Sequence, residues 1–294
     1  MKTSRKDIQE VLKIEGCKAD YHIHTTCSDG ECAPAQIVRQ LKLLGYDRMS
    51  VTDHDNTDGL EEAGACAEAE GIRLIPGIEI ATRTEQGIGL HMLGYDFDRE
   101  NGPFRELLAQ LIRNREERNV RLLKVLAEMG YELTMEDLET GKNSFVGKPV
   151  IARAMVRRGY IANERTAFGK EILGSPQCRA VRKAKPLTSE AIETILGAGG
   201  FPVLAHPIQA RGIGRTGSEE FFENIEKIIA SLTEQGLQGL ECYHPDHSEA
   251  QAERFTKIAD KYGLHITRGT DFHGPDYATA LETGVFQTAR STNT

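Results

Sequence analysis

The chain contains no stretch of about 18 consecutive apolar residues, so no segment is expected to cross a membrane as a helix. Met1 to Glu15 is charged and lacks the apolar core of a secretion signal, which makes the cytoplasm the expected location. A basic excess is missing too, because 36 Lys+Arg against 44 Asp+Glu leave a formal net charge of −8. That balance excludes broad attraction to a nucleic-acid backbone or an anionic membrane, although a few local cations can still hold a small phosphorylated molecule. The six cysteines, Cys17, Cys27, Cys32, Cys66, Cys178 and Cys242, contain no CxxC pair and no dense framework, which points to reduced, mostly buried thiols. Cys27 and Cys32 lie near a histidine pair, but no second Cys/His pair completes a zinc knuckle. Low-complexity tracts are absent, and 39% hydrophobic with 27% charged residues is the composition of a folded globular protein. At 294 residues it can form one large α/β domain, with or without a smaller insertion.

What is present is a recurring unit. Short apolar runs end in polar chemistry: Met49–Val51 before Thr52-Asp53-His54, Arg73–Pro76 before Gly77-Ile78-Glu79, Pro202–Ala205 before His206-Pro207, and Gly239–Cys242 before Tyr243-His244. Each run has the pattern of a buried strand that delivers side chains at its C-terminal end. Helical patterns lie between them, at Pro34–Leu44, Leu60–Glu70, Glu219–Gln235 and Glu249–Tyr262, several followed by a capping glycine. Repeated parallel βα units place ligands at the C-terminal ends of their strands. The segment from Pro103 to Leu187 breaks this rhythm with long helical stretches, notably Phe104–Met129, and no obvious strand. It is expected to be a helical insertion, its charged helix a solvated face, with Lys148-Pro149 and Lys185-Pro186 as candidate hinges.

The chemistry begins at Asp20-Tyr21-His22-Ile23-His24, where period-two geometry sends His22 and His24 to one side of an extended strand. Two imidazoles so placed can hold one metal. Ser28-Asp29-Gly30 follows as a turn able to bring a carboxylate to the same cavity. His54, Glu79, His91, His206, Asp271 and His273 then fall at or near the ends of successive apolar runs. Any one of them alone could be a structural hydrogen-bonding residue. Together, imidazole and carboxylate suit zinc, manganese and iron. Such a site has an obvious use, since adjacent metals neutralise the charge that protects phosphate esters and generate hydroxide near neutral pH.

The ordered set His22-x-His24, Ser28-Asp29-Gly30, Thr52-Asp53-His54-Asp55, Pro76-Gly77-Ile78-Glu79, Ala205-His206-Pro207 and Gly269-Thr270-Asp271-Phe272-His273 resembles the polymerase and histidinol phosphatase (PHP) family of metal-dependent phosphoesterases. The resemblance runs from Asp20 to His273. It implies an α/β fold, a distorted (β/α)7 barrel built from residues 1–102 and 188–294, with residues 103–187 as a helical insertion. It also implies three divalent ions, manganese, zinc or iron. By that resemblance His22, His24, Glu79 and Asp271 hold one ion, Glu79 bridges to a second completed by His91 and His206, and Asp29, His54 and His273 hold the third. A metal-bridged hydroxide held at Glu79 is the implied nucleophile, with Asp53 and Asp55 orienting histidine ligands. The chain is most similar to the branch with a helical insertion. Members of that branch act on nucleoside 3′,5′-bisphosphates, short 5′-phosphorylated RNA or ribose cyclic phosphates, the last opened as a diester and then hydrolysed as a monoester. Arg215 and His247 sit where that branch contacts substrate, a guanidinium being suited to a non-reacting phosphate. Gly147-Lys148-Pro149-Val150 departs from the branch, which often has histidine where Val150 stands.

The expected partner is therefore a small phosphorylated substrate, a nucleotide, sugar phosphate or short RNA, and no segment calls for a protein partner. Two rivals differ in class. A regulatory module could use the same metal cage without turnover. Alternatively, Asp53-His54-Asp55-Asn56-Thr57 matches the DxDxT of aspartyl-phosphate phosphatases, which would make Asp53 a covalent nucleophile; that leaves His22, His24, Glu79, His206 and His273 without a role. Gly212-x-Gly214-x-x-Gly217 lacks the strand–turn–helix setting of a dinucleotide site.

Overall fold

The computed structural model describes residues 7–138 and 145–274, together with residue 282. Seven strands form one sheet in chain order: β1 (Ala19–Asp20), β2 (Arg48–Val51), β3 (Arg73–Arg83), β4 (Gly89–Tyr95), β5 (Phe201–Leu204), β6 (Gly239–Tyr243) and β7 (His265–Arg268). The sheet closes on itself. Tyr21 N–H donates to the Arg268 carbonyl at 3.1 Å and His24 N–H to that of Phe272 at 2.9 Å, while Ile23 and Phe272 form a parallel bridge. The extended segment carrying His22 and His24 is thereby held between the first and last strands.

Helices α1 (Ile8–Val11), α2 (Pro34–Leu43) and α3 (Leu60–Glu70) lie in the first half of the chain, and α9 (Glu219–Glu234) and α10 (Glu249–Tyr262) in the second. Their bounds follow local chemistry. Pro34 occupies the first turn of α2, where its missing N–H costs nothing, and Gly71 and Gly263 end α3 and α10 in the left-handed conformation. Their apolar stripes, including Ile37, Leu41, Phe221, Ile225 and Phe255, close over the outside of the sheet. Each such side chain, fully buried, contributes about 1.5–3 kcal/mol.

One expectation needs correction. The βα rhythm is interrupted at β4, which runs antiparallel to both β3 and β5, while β1–β2–β3 and β5–β6–β7 pair in parallel. β3 does not end near Pro76 but continues to Arg83 and turns directly into β4, with Thr84 N–H bonded to the Ile88 carbonyl and Gly87 at positive φ. The reason is visible in Ile78-Glu79-Ile80-Ala81-Thr82, where alternation continues beyond the glycine.

Between β4 and β5 lie α4 (Gly102–Glu128), α5 (Lys148–Arg157), α6 (Glu164–Ala167), α7 (Pro176–Ala180) and α8 (Thr188–Gly197), with no strand among the described residues. The N-terminal half of α4 packs Phe104 and Leu111 on the barrel core, whereas Leu122 and Leu126 join a second core with Ile151, Met155 and Cys178. Both proline pairs are anchored in local structure. Pro149 lies in the first turn of α5, and Pro186 accepts a hydrogen bond from Arg83 N–H, which pins its segment to the end of β3. Nor is α4 merely a solvated face, because Asn114, Arg118 and Asn119 are buried.

Candidate metal centre

Glu79 is the hub. The loop after β2 runs alongside it, with Glu79 N–H donating to the Asp53 carbonyl and Asp55 N–H to the Glu79 carbonyl, and this places His54 against the glutamate. Glu79 Oε1 lies 2.7 Å from His91 Nδ1, 3.1 Å from His206 Nε2 and 3.5 Å from His22 Nε2; Oε2 lies 2.8 Å from His54 Nδ1 and 3.3 Å from His24 Nε2. A single buried carboxylate thus touches five imidazoles. Asp271 Oδ1 approaches His24 Nε2 at 3.1 Å and His22 Nε2 at 3.3 Å, and Asp29 approaches His273 at 3.4 Å and both His24 and His54 at 3.8 Å. The donor atoms fall into three overlapping groups, each within 4.8 Å: His22, His24, Glu79 and Asp271; Glu79, His91 and His206; and His24, Asp29, His54 and His273.

All nine side chains of the expected ligand set are therefore brought together. Arg215 and His247 are not part of this cage. Arg215 is exposed on the loop before α9. His247 is buried, its Nδ1 2.8 Å from the Cys242 carbonyl and its ring against His244 and Phe255. Burial pushes its pKa down to about 4, so the ring is neutral.

Two residues of the site escaped the sequence reading. Glu241, in the middle of β6, holds His22 Nδ1 at 3.0 Å with one oxygen and accepts the His206 N–H at 2.7 Å with the other. Its first contact fixes the His22 tautomer so that Nε2 faces the cage. The second supports His206 at φ 20°, outside the usual backbone regions. His244 lies 3.5 Å from Asp271 Oδ2. The signal for Glu241 was a lone charged residue inside an otherwise apolar strand.

The orienting role expected of Asp53 runs through Ser28, whose Oγ lies 3.4 Å from His24 Nδ1, while the one expected of Asp55 is not observed. Asp53 accepts from Thr25 N–H and Thr25 Oγ1, both at 2.7 Å, and from Ser28 Oγ at 2.5 Å. It braces the Thr25–Ser28 turn, and with its oxygens so engaged it is not presented as a nucleophile. Asp55 is paired with Arg115 and Lys183. Gly30 and Gly269 are demanded by close packing: a Cβ at 30 would meet the His24 carbonyl, and one at 269 the His22 side chain and Glu241.

Burial disfavours charge on His22 and His24, yet the carboxylates outweigh it. Glu241, Asp271 and Glu79 hold His22 well above the ordinary imidazole value, and Asp271 and Glu79 raise His24 to about 10. Reciprocally, burial would raise Glu79, but the charges of His54, His91 and His22 keep it well below the usual carboxylate range. Imidazolium charge does here what a bound cation would do. His22 Nε2, His24 Nε2, Glu79 Oε2 and Asp29 Oδ1 are buried and, although close to the opposite charges named above, make no well-aligned hydrogen bond. Buried polar atoms are rarely left so, and divalent cations would satisfy all four, so the residues fit metal.

Comparison with known proteins gives this arrangement its context. Residues 20–163 match the PHP domain family. A 5′-3′ exoribonuclease of Haemophilus influenzae is 30% identical over 88% of this chain and 90% of its own length. A phosphoribosyl 1,2-cyclic phosphate 1,2-diphosphodiesterase of Eggerthella lenta is 30% identical, covering 87% and 94%. A 3′,5′-nucleoside bisphosphate phosphatase of Chromobacterium violaceum is 29% identical, covering 87% of each. Among solved structures, a protein from Bifidobacterium adolescentis assigned as a metal-dependent phosphoesterase superposes with a TM-score of 0.74 at 28% identity, covering 90% of this chain and 96% of that one. Fold, cage and relatives together define a metal-dependent phosphoesterase. The chain belongs to the PHP family, whose closed seven-stranded barrel it shares.

Proposed function

We propose that this protein hydrolyses a phosphate ester of a small nucleotide or sugar phosphate at a centre of three divalent ions. The observation that carries the proposal is Glu79, one carboxylate shared among five imidazoles at the meeting point of the donor groups. His22, His24, Glu79 and Asp271 would hold one ion, Glu79, His91 and His206 a second, and Asp29, His54 and His273 a third, with His24 also within reach of the third group. Manganese, zinc and iron all suit this donor set. Bound there, such ions supply Lewis acidity towards phosphate oxygens and acidify water to about neutral pH.

The chain's own residues do the rest. Glu241 locks the His22 ring and the His206 backbone, so both donors are set before substrate arrives. Asp20 accepts from His22 N–H, Thr270 N–H and Thr270 Oγ1, tying the two segments that carry His22, His24 and Asp271. Arg215, exposed at the surface, and His247, whose Nε2 has no hydrogen-bond partner, are the proposed selectors of substrate outside the cage. Residues 103–187 act as an insertion on a barrel formed by 1–102 and 188–294. Among the described residues no helix is long and apolar enough to cross a membrane, and no disulfide is formed, which supports work in the cytoplasm.

The test is a side-by-side assay of manganese-loaded protein on a nucleoside 3′,5′-bisphosphate, a 5′-phosphorylated oligoribonucleotide and a ribose cyclic phosphate. Phosphate release from one of them is expected. Hydrolysis that survives the double change His22→Ala and His24→Ala would overturn the proposal, and tight metal binding with no turnover on any of the three would favour a regulatory module.

A further inference from the structure

His244 borders the cage without belonging to any of its three donor groups. Its ring is 2% exposed and packs among other imidazoles, with centroids 5.3 Å from His206, 6.3 Å from His22 and 5.6 Å from His247. It stands just past the end of β6, and the turn that follows fixes it. His247 N–H donates to the His244 carbonyl at 2.9 Å, and Asp246 N–H donates to His244 Nδ1 at 3.0 Å. A backbone N–H can only donate, so Nδ1 accepts and the ring hydrogen sits on Nε2. A nitrogen that carries hydrogen has no free lone pair for a metal ion. His244 is therefore a hydrogen-bond donor at the edge of the cage and not a tenth ligand.

The Nε2 atom is buried and makes no well-aligned hydrogen bond; the carboxylate it faces is Asp271, whose Oδ2 lies 3.5 Å away. Among the described residues no other carboxylate pairs with this ring. The second oxygen of Asp271 turns inward, with Oδ1 3.1 Å from His24 Nε2, 3.3 Å from His22 Nε2 and 3.6 Å from His273 Nδ1. The backbone of Asp271 is already held, at φ 52°, between Thr270, whose N–H and Oγ1 donate to Asp20, and Phe272, whose N–H donates to the His22 carbonyl. Holding the backbone does not set the carboxylate plane, because the last torsion of an aspartate is broad rather than staggered. A donor beside the plane sets it. A buried N–H takes an acceptor, and with Oδ2 as that acceptor the carboxylate stands with one oxygen outside the cage and one inside.

We propose that His244 is a positioning residue, whose Nε2–H engages Asp271 Oδ2 and so presents Asp271 Oδ1 to the ion that His22, His24 and Glu79 would hold. This rests on the metal centre proposed above and adds to it a residue that never touches the ion. It also gives β6 a single purpose. The strand contributes none of the nine ligands, yet Glu241 in its middle holds the His22 ring and the His206 backbone, and His244 just past its end holds Asp271. Ligands from three other segments are thereby set from one strand. Partners that orient a ligand in this way govern how tightly the ion is held.

The test titrates manganese(II) into metal-free full-length protein and two variants, with affinity read by calorimetry. His244→Leu removes the donor and keeps bulk, whereas His244→Gln keeps an N–H at about the same reach. In His244→Leu one ion per chain should bind about 10- to 100-fold more weakly, with the others nearly unchanged, and His244→Gln should restore most of that loss. A merely structural role would not be rescued by the amide. Unchanged affinity in His244→Leu, equal weakening of every ion, or a His244→Gln as weak as His244→Leu would overturn the proposal. If wild type binds no manganese, the metal centre proposed above fails on its own. In that case, or should His244→Leu not fold, nitrogen-15 spectra of the metal-free wild-type protein decide: a hydrogen on His244 Nε2 supports the positioning role, and a bare Nε2 with the hydrogen on Nδ1 overturns it.

Discussion

Two buried clusters flank the loop from Asp53 to Asn56, and they are built on opposite rules. In the histidine cage, carboxylates and imidazoles answer one another, and each donor group mixes the two. Around Asp55 one carboxylate is paired with both Arg115 and Lys183, and among the described residues no carboxylate forms an ion pair with Arg118. A mixed cage satisfies itself with protons until metal replaces them. The first arrangement gathers donors for a cation, whereas the second ties α4 and the segment before α8 to the loop after β2.

The comparison can be broken most forcefully at its hub. Glu79→Ala should lower phosphoesterase activity by about a thousandfold or more and reduce bound metal, since several kcal/mol of charge stabilisation pass through the groups it joins; elemental content and phosphate release report both. Next in size is Asp55→Asn, which leaves Arg115 and Lys183 buried without their carboxylate and should cost about 3–5 kcal/mol of stability in urea unfolding. Added phosphate should recover part of that loss, because an external anion replaces the missing one. Glu241→Gln should weaken metal affinity or activity by about 10- to 100-fold, as the amide can still accept from one partner but cannot accept on both sides.

A further effect separates metal-free from metal-loaded protein. His24 has its folded pKa raised from the unfolded value of about 6.5 to about 10. Its proton therefore stabilises the metal-free fold fully below pH about 6.5, and that stability is lost as pH rises towards 10, by at most about 1.4 kcal/mol per pH unit. Ligation uses the neutral imidazole, so metal-loaded protein should show no such decline. Thermal midpoints of both forms from pH 6 to 9 check the sign.

How far each cluster was legible beforehand follows from how local it is. The cage is delivered by motifs at strand ends, so His22-x-His24, Thr52-Asp53-His54 and Asp271-x-His273 announce themselves within a few residues, as do α3 and α10, whose capping glycines mark their ends. The β3–β4 hairpin was hidden because the apolar run stops at Pro76, although alternation continues from Ile78. Glu241 was absorbed into an apolar strand, and only its isolation there could have flagged it. The second cluster joins residues 55, 115, 118 and 183, far apart in the chain, and α4 carries so much charge that a buried arginine is lost among exposed ones. Its signal was positional: Leu111, Asn114, Arg118 and Leu122 share one helical stripe, and polar residues on an apolar stripe need a reason.

The most direct measurement joins metal content to hydrolysis. Wild-type protein is stripped with chelator, reloaded with manganese and assayed for phosphate release from adenosine 3′,5′-bisphosphate, a 5′-phosphorylated oligoribonucleotide and a ribose cyclic phosphate, with ions per chain counted at each stage. The account predicts no release from stripped protein and turnover of one substrate once metal is restored, with both metal and turnover lost in Glu79→Ala. Hydrolysis by stripped protein, or full activity in Glu79→Ala, would contradict it.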